Sequence, residues 1–253
     1  MACITIDAGT DLLVYYRGPG LQHKQLPTLI YFALSGEESL TLEPFSQPVS
    51  YLSSENIHIF SFTLPGHGKG WDNKLAIHYW VNSIIDGNNI IKEFVAKCIQ
   101  NVNYLIDHQY VNSKLIAVAG LSRGAFVATH LAAFDKRIRY ILGFAPLTQL
   151  GMAEEFTTYR DHQIIQELSL TNLAEQMRHK HVRYYIGNRD ERVGTEACFK
   201  TVQAFTETAY KHGERSPKVE LIIGPSVGYK GHGTLPITFK SGAEWIKEVL
   251  QGD

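Results

Sequence analysis

The chain has 253 residues, of which 44% are hydrophobic and 19% are charged, and its formal net charge is −1. A chain of this size can bury one substantial core, so we predict a single domain over residues 1–253. Its lysines and arginines are dispersed along the sequence, which argues against binding to nucleic acid or to an anionic membrane surface.

The cysteines and the N-terminus indicate a cytoplasmic protein. Cys3, Cys98 and Cys198 are far apart and odd in number, which argues against a disulfide scaffold and favours a reducing compartment. Residues 1–7 lack the charged and then apolar layout of a signal peptide, and no apolar run is long enough to span a bilayer. We therefore expect neither secretion nor membrane insertion.

The first half of the chain predicts a hairpin and then strands that alternate with helices. Two β-prone runs, at residues 4–7 and 12–17, flank a sequence typical of a hairpin turn. Strands follow at residues 28–33 and 57–62, and the stretch between them has room for a short helix. The pattern continues with a helix at 92–108, a strand at 115–119, a helix at 125–134 and a strand at 140–145.

The second half repeats this alternation after one insertion. It predicts a strand at 182–186, a helix at 195–212, a strand at 219–223 and a helix at 239–250. The whole order indicates an α/β fold with a mostly parallel sheet, helices on both faces and the hairpin as an antiparallel edge. Residues 150–180 form the one long insertion, which we interpret as a small lid, and residues 179–181 (H-K-H) as a solvated helix end.

The pentapeptide Gly120-Leu121-Ser122-Arg123-Gly124 is the strongest functional signal. It lies between an apolar strand and a helix that begins at once, which is the setting in which a sharp turn holds a serine out of the sheet. Small residues two places to either side are needed because such a turn crowds the backbone. Ser122 is therefore predicted to be a nucleophile, although a serine here can also act only as a helix N-cap.

A serine hydroxyl is a weak nucleophile at neutral pH, so it needs a base, and the base needs an orienting acid. In a parallel sheet these groups lie beyond the C-terminal ends of later strands. Asp190 follows the strand at 182–186, and His232 follows the strand at 219–223 between two glycines. The sequence thus predicts a triad of Ser122, His232 and Asp190.

Neighbouring residues offer competing assignments. Glu191 adjoins Asp190 and is an alternative acid, and His67 is an alternative base that we interpret as a turn or pocket residue. The Arg123 side chain can cover the turn, pair with an acid or bind an anionic substrate. Residues 66–70 (G-H-G-K-G) lack the Lys-Ser/Thr ending of a phosphate loop, and no spaced ligand set indicates a metal, so we expect no cofactor.

Over nearly its whole length the chain resembles the α/β-hydrolases, in particular the dienelactone-hydrolase and prolyl-oligopeptidase-like branch. The resemblance is carried by four runs: Leu64-Pro65-Gly66-His67-Gly68, Ser122-Arg123-Gly124-Ala125, His130-Leu131-Ala132 and Phe144-Ala145-Pro146-Leu147-Thr148. It implies a sheet of about eight strands and the triad order Ser, Asp, His along the chain. The usual H-G pair after the third strand is absent, and Ala33-Leu34-Ser35-Gly36 stands there instead.

An oxyanion hole needs two fixed N–H donors, because acyl transfer places negative charge on the former carbonyl oxygen. One donor is expected to be the backbone N–H of Arg123, the residue after the nucleophile. The second is expected from the loop after the third strand, at Leu34, Ser35 or Gly36. Backbone amides perform this role, so the loss of the H-G letters does not remove it.

These residues predict a cofactor-independent serine hydrolase that acts on a small-molecule ester or amide through an acyl-enzyme. Carboxylic ester hydrolysis is the first choice, because the modest insertion leaves an open site. A single-domain peptidase or amidase is the nearest alternative. A non-catalytic binding protein with the same fold is the alternative from a different class.

Overall fold

The computed structural model describes residues 3–21 and 25–252. In this part of the chain eight strands form one sheet in the order β1-β2-β4-β3-β5-β6-β7-β8. The strands are β1 (Ile4–Ile6), β2 (Val14–Arg17), β3 (Leu26–Phe32), β4 (His58–Phe62), β5 (Val111–Leu121), β6 (Ile138–Phe144), β7 (His181–Gly187) and β8 (Val219–Gly224).

The strand pairing confirms the predicted architecture. The strands from β3 to β8 pair in parallel, whereas β1 pairs with β2, and β2 with β4, in the antiparallel sense. In a parallel sheet the C-terminal ends of the strands share one edge, so the loops after β3 to β8 meet there. This edge carries every predicted site residue.

Nine helices accompany the strands in the described residues. They are α1 (Gly36–Thr41), α2 (Gln47–Leu52), α3 (Ala76–Ile85), α4 (Ile90–Asp107), α5 (Arg123–Phe134), α6 (Gln163–Glu167), α7 (Ala174–Met177), α8 (Thr195–Lys211) and α9 (Pro236–Gln251). The sequence patterns predicted α4, α5, α8 and α9, whereas α3 was not predicted. Its apolar residues, which include Ile77, Trp80 and Ile84, are buried against the sheet.

The core lies on both faces of the sheet, because successive residues of a strand point to opposite sides. Ile30 and Phe32 of β3 join a cluster that includes α3, α4, α5 and α8. Leu29 and Tyr31, one residue earlier in each case, join the cluster formed with α1, α2 and α9. The central strands are therefore covered on both sides and are rigid supports for the loops at their ends.

The insertion at residues 150–180 folds into short pieces. It contains the 3₁₀ turns Leu150–Met152, Glu154–Tyr159 and Leu170–Leu173 together with α6 and α7. Several of its apolar side chains, among them Leu150, Phe156 and Met177, are fully buried in the main core. The assignment of a lid to this segment remains a prediction.

The interpretation of residues 179–181 as a solvated helix end is wrong for Lys180 and His181, whereas His179 is exposed just beyond the end of α7. Lys180 is buried, and its ammonium donates hydrogen bonds to the carbonyl oxygens of Asp135 and Ile138. Burial lowers the pKa of this lysine to about 8. His181 begins β7. The charged pattern resembled a surface because a buried lysine can use backbone carbonyls that the sequence does not reveal.

No helix within the described ranges is both long and apolar enough to cross a membrane.

Candidate active site

Ser122 occupies a strained turn between β5 and α5. Its backbone angles are φ 55° and ψ −114°, a combination that residues other than glycine rarely adopt. Hydrogen bonds hold this geometry: the Ser122 N–H donates to Phe144 O at 2.8 Å, and the Ser122 carbonyl accepts from Leu147 N–H at 3.2 Å. The turn therefore fixes the hydroxyl at the C-terminal edge of the sheet.

The two glycines of the pentapeptide are required by close backbone contacts. A Cβ atom on Gly120 would lie 2.2 Å from the Gly124 carbonyl carbon, and one on Gly124 would lie 2.0 Å from Phe32 O. Neither backbone neighbour can move away as a side chain could. The packing of the first turn of α5 on β3 and β5 thus explains both glycines.

The structure brings Ser122, His232 and Asp190 together. His232 Nε2 lies 2.9 Å from Ser122 Oγ, and His232 Nδ1 lies 2.8 Å from Asp190 Oδ2. The Asp190 side chain is fully buried, whereas that of His232 keeps 20% of its exposure. A base in contact with the hydroxyl, and an acid on the other ring nitrogen, is the arrangement that nucleophilic catalysis needs.

Backbone groups hold Asp190 in position. Its Oδ1 accepts hydrogen bonds from the N–H groups of Arg192 at 3.0 Å and Val193 at 3.1 Å. Its own N–H donates to Thr195 Oγ1, which in turn donates to Gly187 O at the end of β7. The carboxylate is therefore oriented before it meets the imidazole, with Oδ2 left for His232. Sequence reasoning did not identify Thr195 in this role.

The His232 loop packs tightly on the Asp190 loop. Gly231 has φ 73°, and a Cβ atom there would lie 2.2 Å from Arg189 O. Gly233 donates its N–H to Val227 O at 2.7 Å, which closes the loop around the histidine. The flanking glycines allow the imidazole to reach the buried carboxylate that follows the neighbouring strand, β7.

The competing residues lie elsewhere. Glu191 forms an exposed ion pair with Arg189 at 2.9 Å, and its side chain is 51% exposed. His67 Nδ1 lies 3.2 Å from Pro65 O, and its Nε2 lies 3.4 Å from Arg123 Nη2. Burial, together with the neighbouring Arg123, lowers the pKa of His67 to about 4. Neither residue contacts Ser122 or His232 through a hydrogen bond.

The residues predicted for the oxyanion hole lie at the end of β3, beside the nucleophile turn. Phe32 pairs with Gly120, so Leu34 and Ser122 each follow two residues beyond this pair. The three loop N–H groups already have side-chain acceptors: Leu34 donates to Ser39 Oγ at 3.0 Å, Ser35 to Glu38 Oε2 at 3.3 Å and Gly36 to Thr63 Oγ1 at 2.9 Å. The loop is positioned as expected, but none of these amides is unoccupied.

The amide of Arg123 differs from these three. It is the first residue of α5, and the N–H groups of a first helical turn have no acceptor within the helix. None of the described residues accepts a hydrogen bond from it. The positive end of the α5 dipole also lies here, which favours negative charge. This amide therefore suits a developing oxyanion.

The aromatic side chains after β4 and in the insertion divide into two groups. Trp71 and Tyr79 pack against each other in a tilted arrangement, with 4.8 Å between ring centroids, and line a cleft of about 440 Å³ beside His67. Trp80 is fully buried and donates its indole N–H to Pro65 O, and Phe156 is also in the core. Only the first pair can therefore contact a bound molecule in this cleft.

The Arg123 guanidinium lies near an aromatic ring and near one ion pair. Its Cζ lies 5.8 Å from the centroid of the Trp80 ring. Nearby, Arg192 Nη2 donates to Glu155 Oε1 at 2.6 Å. The Glu155–Arg192 pair joins the insertion to the Asp190 loop and was not predicted, because nothing in the sequence pattern links positions 37 residues apart.

No group of three or more potential metal ligands occurs in the described ranges.

Comparisons with known proteins identify the fold. No protein-family profile and no curated protein sequence match the chain. Among solved structures, a dienelactone hydrolase candidate from Klebsiella pneumoniae has a TM-score of 0.70 at 12% identity, over 100% of this chain and 99% of that one. A cold-adapted esterase from an Arctic intertidal metagenomic library has a TM-score of 0.65 at 18% identity, over 98% and 93%.

A third similar structure is a dipeptidyl aminopeptidase IV candidate from Bacteroides ovatus, with a TM-score of 0.67 at 18% identity. The comparison covers 100% of this chain but only 35% of that protein, so the chain spans about a third of its length. Together with the strand order, these similarities show that the chain has the α/β-hydrolase fold.

Proposed function

We propose that this α/β-hydrolase-fold protein is a serine hydrolase that cleaves carboxylic esters through an acyl-enzyme. The observation that carries the proposal is the continuous hydrogen-bonded chain from Ser122 Oγ through His232 to the buried Asp190. The strained turn at Ser122 supports it, because such backbone strain is retained mainly where function requires it.

In the proposed reaction Ser122 Oγ attacks the ester carbonyl carbon while its proton passes to His232 Nε2. Asp190 stabilises the resulting imidazolium through Nδ1. The tetrahedral intermediate then collapses, the bond between the acyl carbon and the leaving oxygen breaks, and the Nε2 proton moves to that oxygen. Water, deprotonated by His232, attacks the acyl-enzyme, and the acid is released as Ser122 regains its proton.

The oxyanion accepts one hydrogen bond from the Arg123 N–H and a second from one N–H group of the loop after β3. Because those amides are occupied, one must exchange its side-chain acceptor for the oxyanion. Exchange is easiest where the present acceptor is a neutral hydroxyl, since hydrogen bonds to a charged oxygen are about twice as strong as neutral ones. This favours Leu34 and Gly36, which donate to Ser39 and Thr63, over Ser35, which donates to a carboxylate.

An active-site-directed fluorophosphonate probe tests the proposal. Labelling of the wild-type protein that is lost in Ser122→Ala supports a serine hydrolase, and matched circular dichroism spectra control for folding. A folded wild-type protein that does not react at neutral pH would refute the proposal and leave the non-catalytic binding protein.

A substrate panel separates the two enzymatic alternatives. A peptidase or amidase is the second candidate, supported by the similarity to the dipeptidyl aminopeptidase IV candidate. Nitrophenyl esters of increasing chain length, assayed beside aminoacyl anilides, should show faster turnover of the esters; a preference for the anilides would favour the second candidate.

The cytoplasm is the proposed compartment, and the free cysteines Cys3, Cys98 and Cys198 agree with it.

A further inference from the structure

Arg123 directly follows the proposed nucleophile, and its guanidinium forms no ion pair with any of the described residues. Its Nη1 atom is shielded from solvent and donates no hydrogen bond to any described residue. Its Nη2 atom has one contact, with His67 Nε2 at 3.4 Å, which is longer than a normal hydrogen bond. A partly buried guanidinium with unused donors is unfavourable unless a partner satisfies it.

His67 cannot neutralise this charge. Its Nδ1 faces the carbonyl oxygen of Pro65 and must donate to it, so the neutral ring presents only the Nε2 lone pair to Arg123. Its lowered pKa of about 4 agrees with a neutral ring at physiological pH. The histidine therefore supplies one weak acceptor and no negative charge.

Glu155 is the carboxylate whose charge acts on Arg123, and it is paired with Arg192 instead. Glu155 Oε1 accepts from Arg192 at 2.6 Å, and its Oε2 accepts no hydrogen bond, so Glu155 and Arg123 do not pair directly. One carboxylate thus lies near two guanidinium groups and pairs with only one of them. Burial and the nearby Arg192 lower the pKa of Arg123 only to about 10, so it stays charged at neutral pH. The positive end of α5 adds to this excess of positive charge.

The position of the guanidinium indicates which part of a substrate it meets. His232 must protonate the leaving oxygen, so the leaving group lies on the side of the β8 loop. The guanidinium instead contacts His67, which follows β4 on the opposite side of β5 in the strand order. A group beside Arg123 is therefore on the acyl side of the scissile bond.

We propose that Arg123 binds a carboxylate on the acyl part of the substrate, so that the substrates are monoesters of small dicarboxylic acids. This inference rests on the proposed ester hydrolysis and specifies its substrate class. A carboxylate matches the planar fork of a guanidinium and can engage both of its terminal nitrogens. No hydrogen bond of normal length restrains the guanidinium, so a small rotation turns Nη1 towards the incoming anion.

A matched pair of esters tests the inference. 4-Nitrophenyl hydrogen adipate and 4-nitrophenyl hexanoate share the leaving group and the length of the acyl chain, but only the adipate carries a terminal carboxylate. With non-enzymatic hydrolysis subtracted, the wild-type protein should show a kcat/KM about 10-fold or more higher for the adipate, the effect of one charge-assisted contact. The glutarate and pentanoate pair tests the reach of the side chain.

The variants assign the preference to one side chain. Arg123→Met should reduce the ratio of the two kcat/KM values to about one or below, and the ratio cancels any effect on the Arg123 amide. Arg123→Lys should retain part of the preference, because it keeps the charge and loses the fork. Arg189→Met is the matched control: this arginine is 82% exposed and paired with Glu191, so the ratio should not change.

The outcomes separate this inference from the proposed function. If the wild-type protein hydrolyses the hexanoate at least as well as the adipate, or if Arg123→Met keeps the adipate preference, the inference is overturned and ester hydrolysis stands. If neither ester is hydrolysed, calorimetry with adipate and Ser122→Ala decides. Binding that the additional Arg123→Met change removes would support the carboxylate site, and absence of binding would overturn it.

Discussion

Replacing Ser122 by glycine should make the protein more stable than replacing it by alanine. Both substitutions remove the hydroxyl and its 2.9 Å contact with His232, so that loss cancels in the comparison. They differ in backbone preference, because Ser122 has φ 55° and ψ −114°. Glycine adopts this conformation readily, whereas alanine keeps the strain that serine has.

The size of the difference follows from two opposing terms. Relief of strain at such a residue is worth about 1–3 kcal/mol. Glycine also gains more conformational freedom than alanine in the unfolded chain, which costs roughly 0.5–1 kcal/mol of folded stability. The central values leave Ser122→Gly about 1 kcal/mol more stable than Ser122→Ala, or roughly 2–4 °C in Tm for a chain of this length.

Urea unfolding followed by tryptophan fluorescence measures this difference. Ala96→Gly is the control, because Ala96 is an exposed residue of α4 with ordinary helical backbone, and glycine there should lose about 0.8–1 kcal/mol. If Ser122→Gly is no more stable than Ser122→Ala, the turn at Ser122 stores no strain.

Three further predictions concern the elbow, the acid and pH. Gly120→Ala should destabilise the fold by about 3 kcal/mol or more through its backbone clash, whereas Gly224→Ala, with nothing within 4 Å, should be neutral or slightly stabilising in the same urea assay. Asp190→Asn should reduce kcat about 10⁴-fold, and Glu191→Gln should leave it nearly unchanged, in steady-state assays of ester hydrolysis. His130 is buried with a pKa lowered by desolvation to about 4. Because the unfolded chain binds that proton near pH 6.5, the contribution of His130 to stability should be full above pH 6.5 and fall by about 3 kcal/mol towards pH 4, a loss that His130→Gln should reduce in unfolding curves measured at both ends of this range.

The succession of strands along the chain could be predicted, because local patterns determine it. Apolar runs of strand length that alternate with helical stripes gave β3 to β8 in sequence, and the parallel architecture followed. The helix α3 was missed, since Pro65 and the glycines before it suggested only a loop and the 3.6-residue period in Ala76–Ile85 is short. The core residue Lys180 was misread because its carbonyl acceptors lie 42 and 45 residues earlier in the chain.

The candidate site likewise has a part that the sequence predicts and a part that it does not. The positions of Ser122, Asp190 and His232 were predictable because each follows a strand end, and strand ends meet at one edge of a parallel sheet. The state of the amides after β3 was not, since it depends on the acceptors Ser39 and Thr63, which only the folded backbone places. The local sequence pattern predicts where strands end, whereas side-chain contacts between distant parts of the chain determine which backbone N–H groups remain free.

The long separation of Ser122 and His232 has a consequence for folding kinetics. The two residues are 110 positions apart, and β8, the strand before His232, is the last to be made and lies at the edge of the sheet. Contacts between such distant residues form late, because much of the chain must be ordered before they can close. During synthesis the serine turn can therefore form long before its base arrives. The contact between the Ser122 hydroxyl and the His232 imidazole is thus present only in the fully folded chain. Partly folded chains contain the nucleophile without the base that activates it.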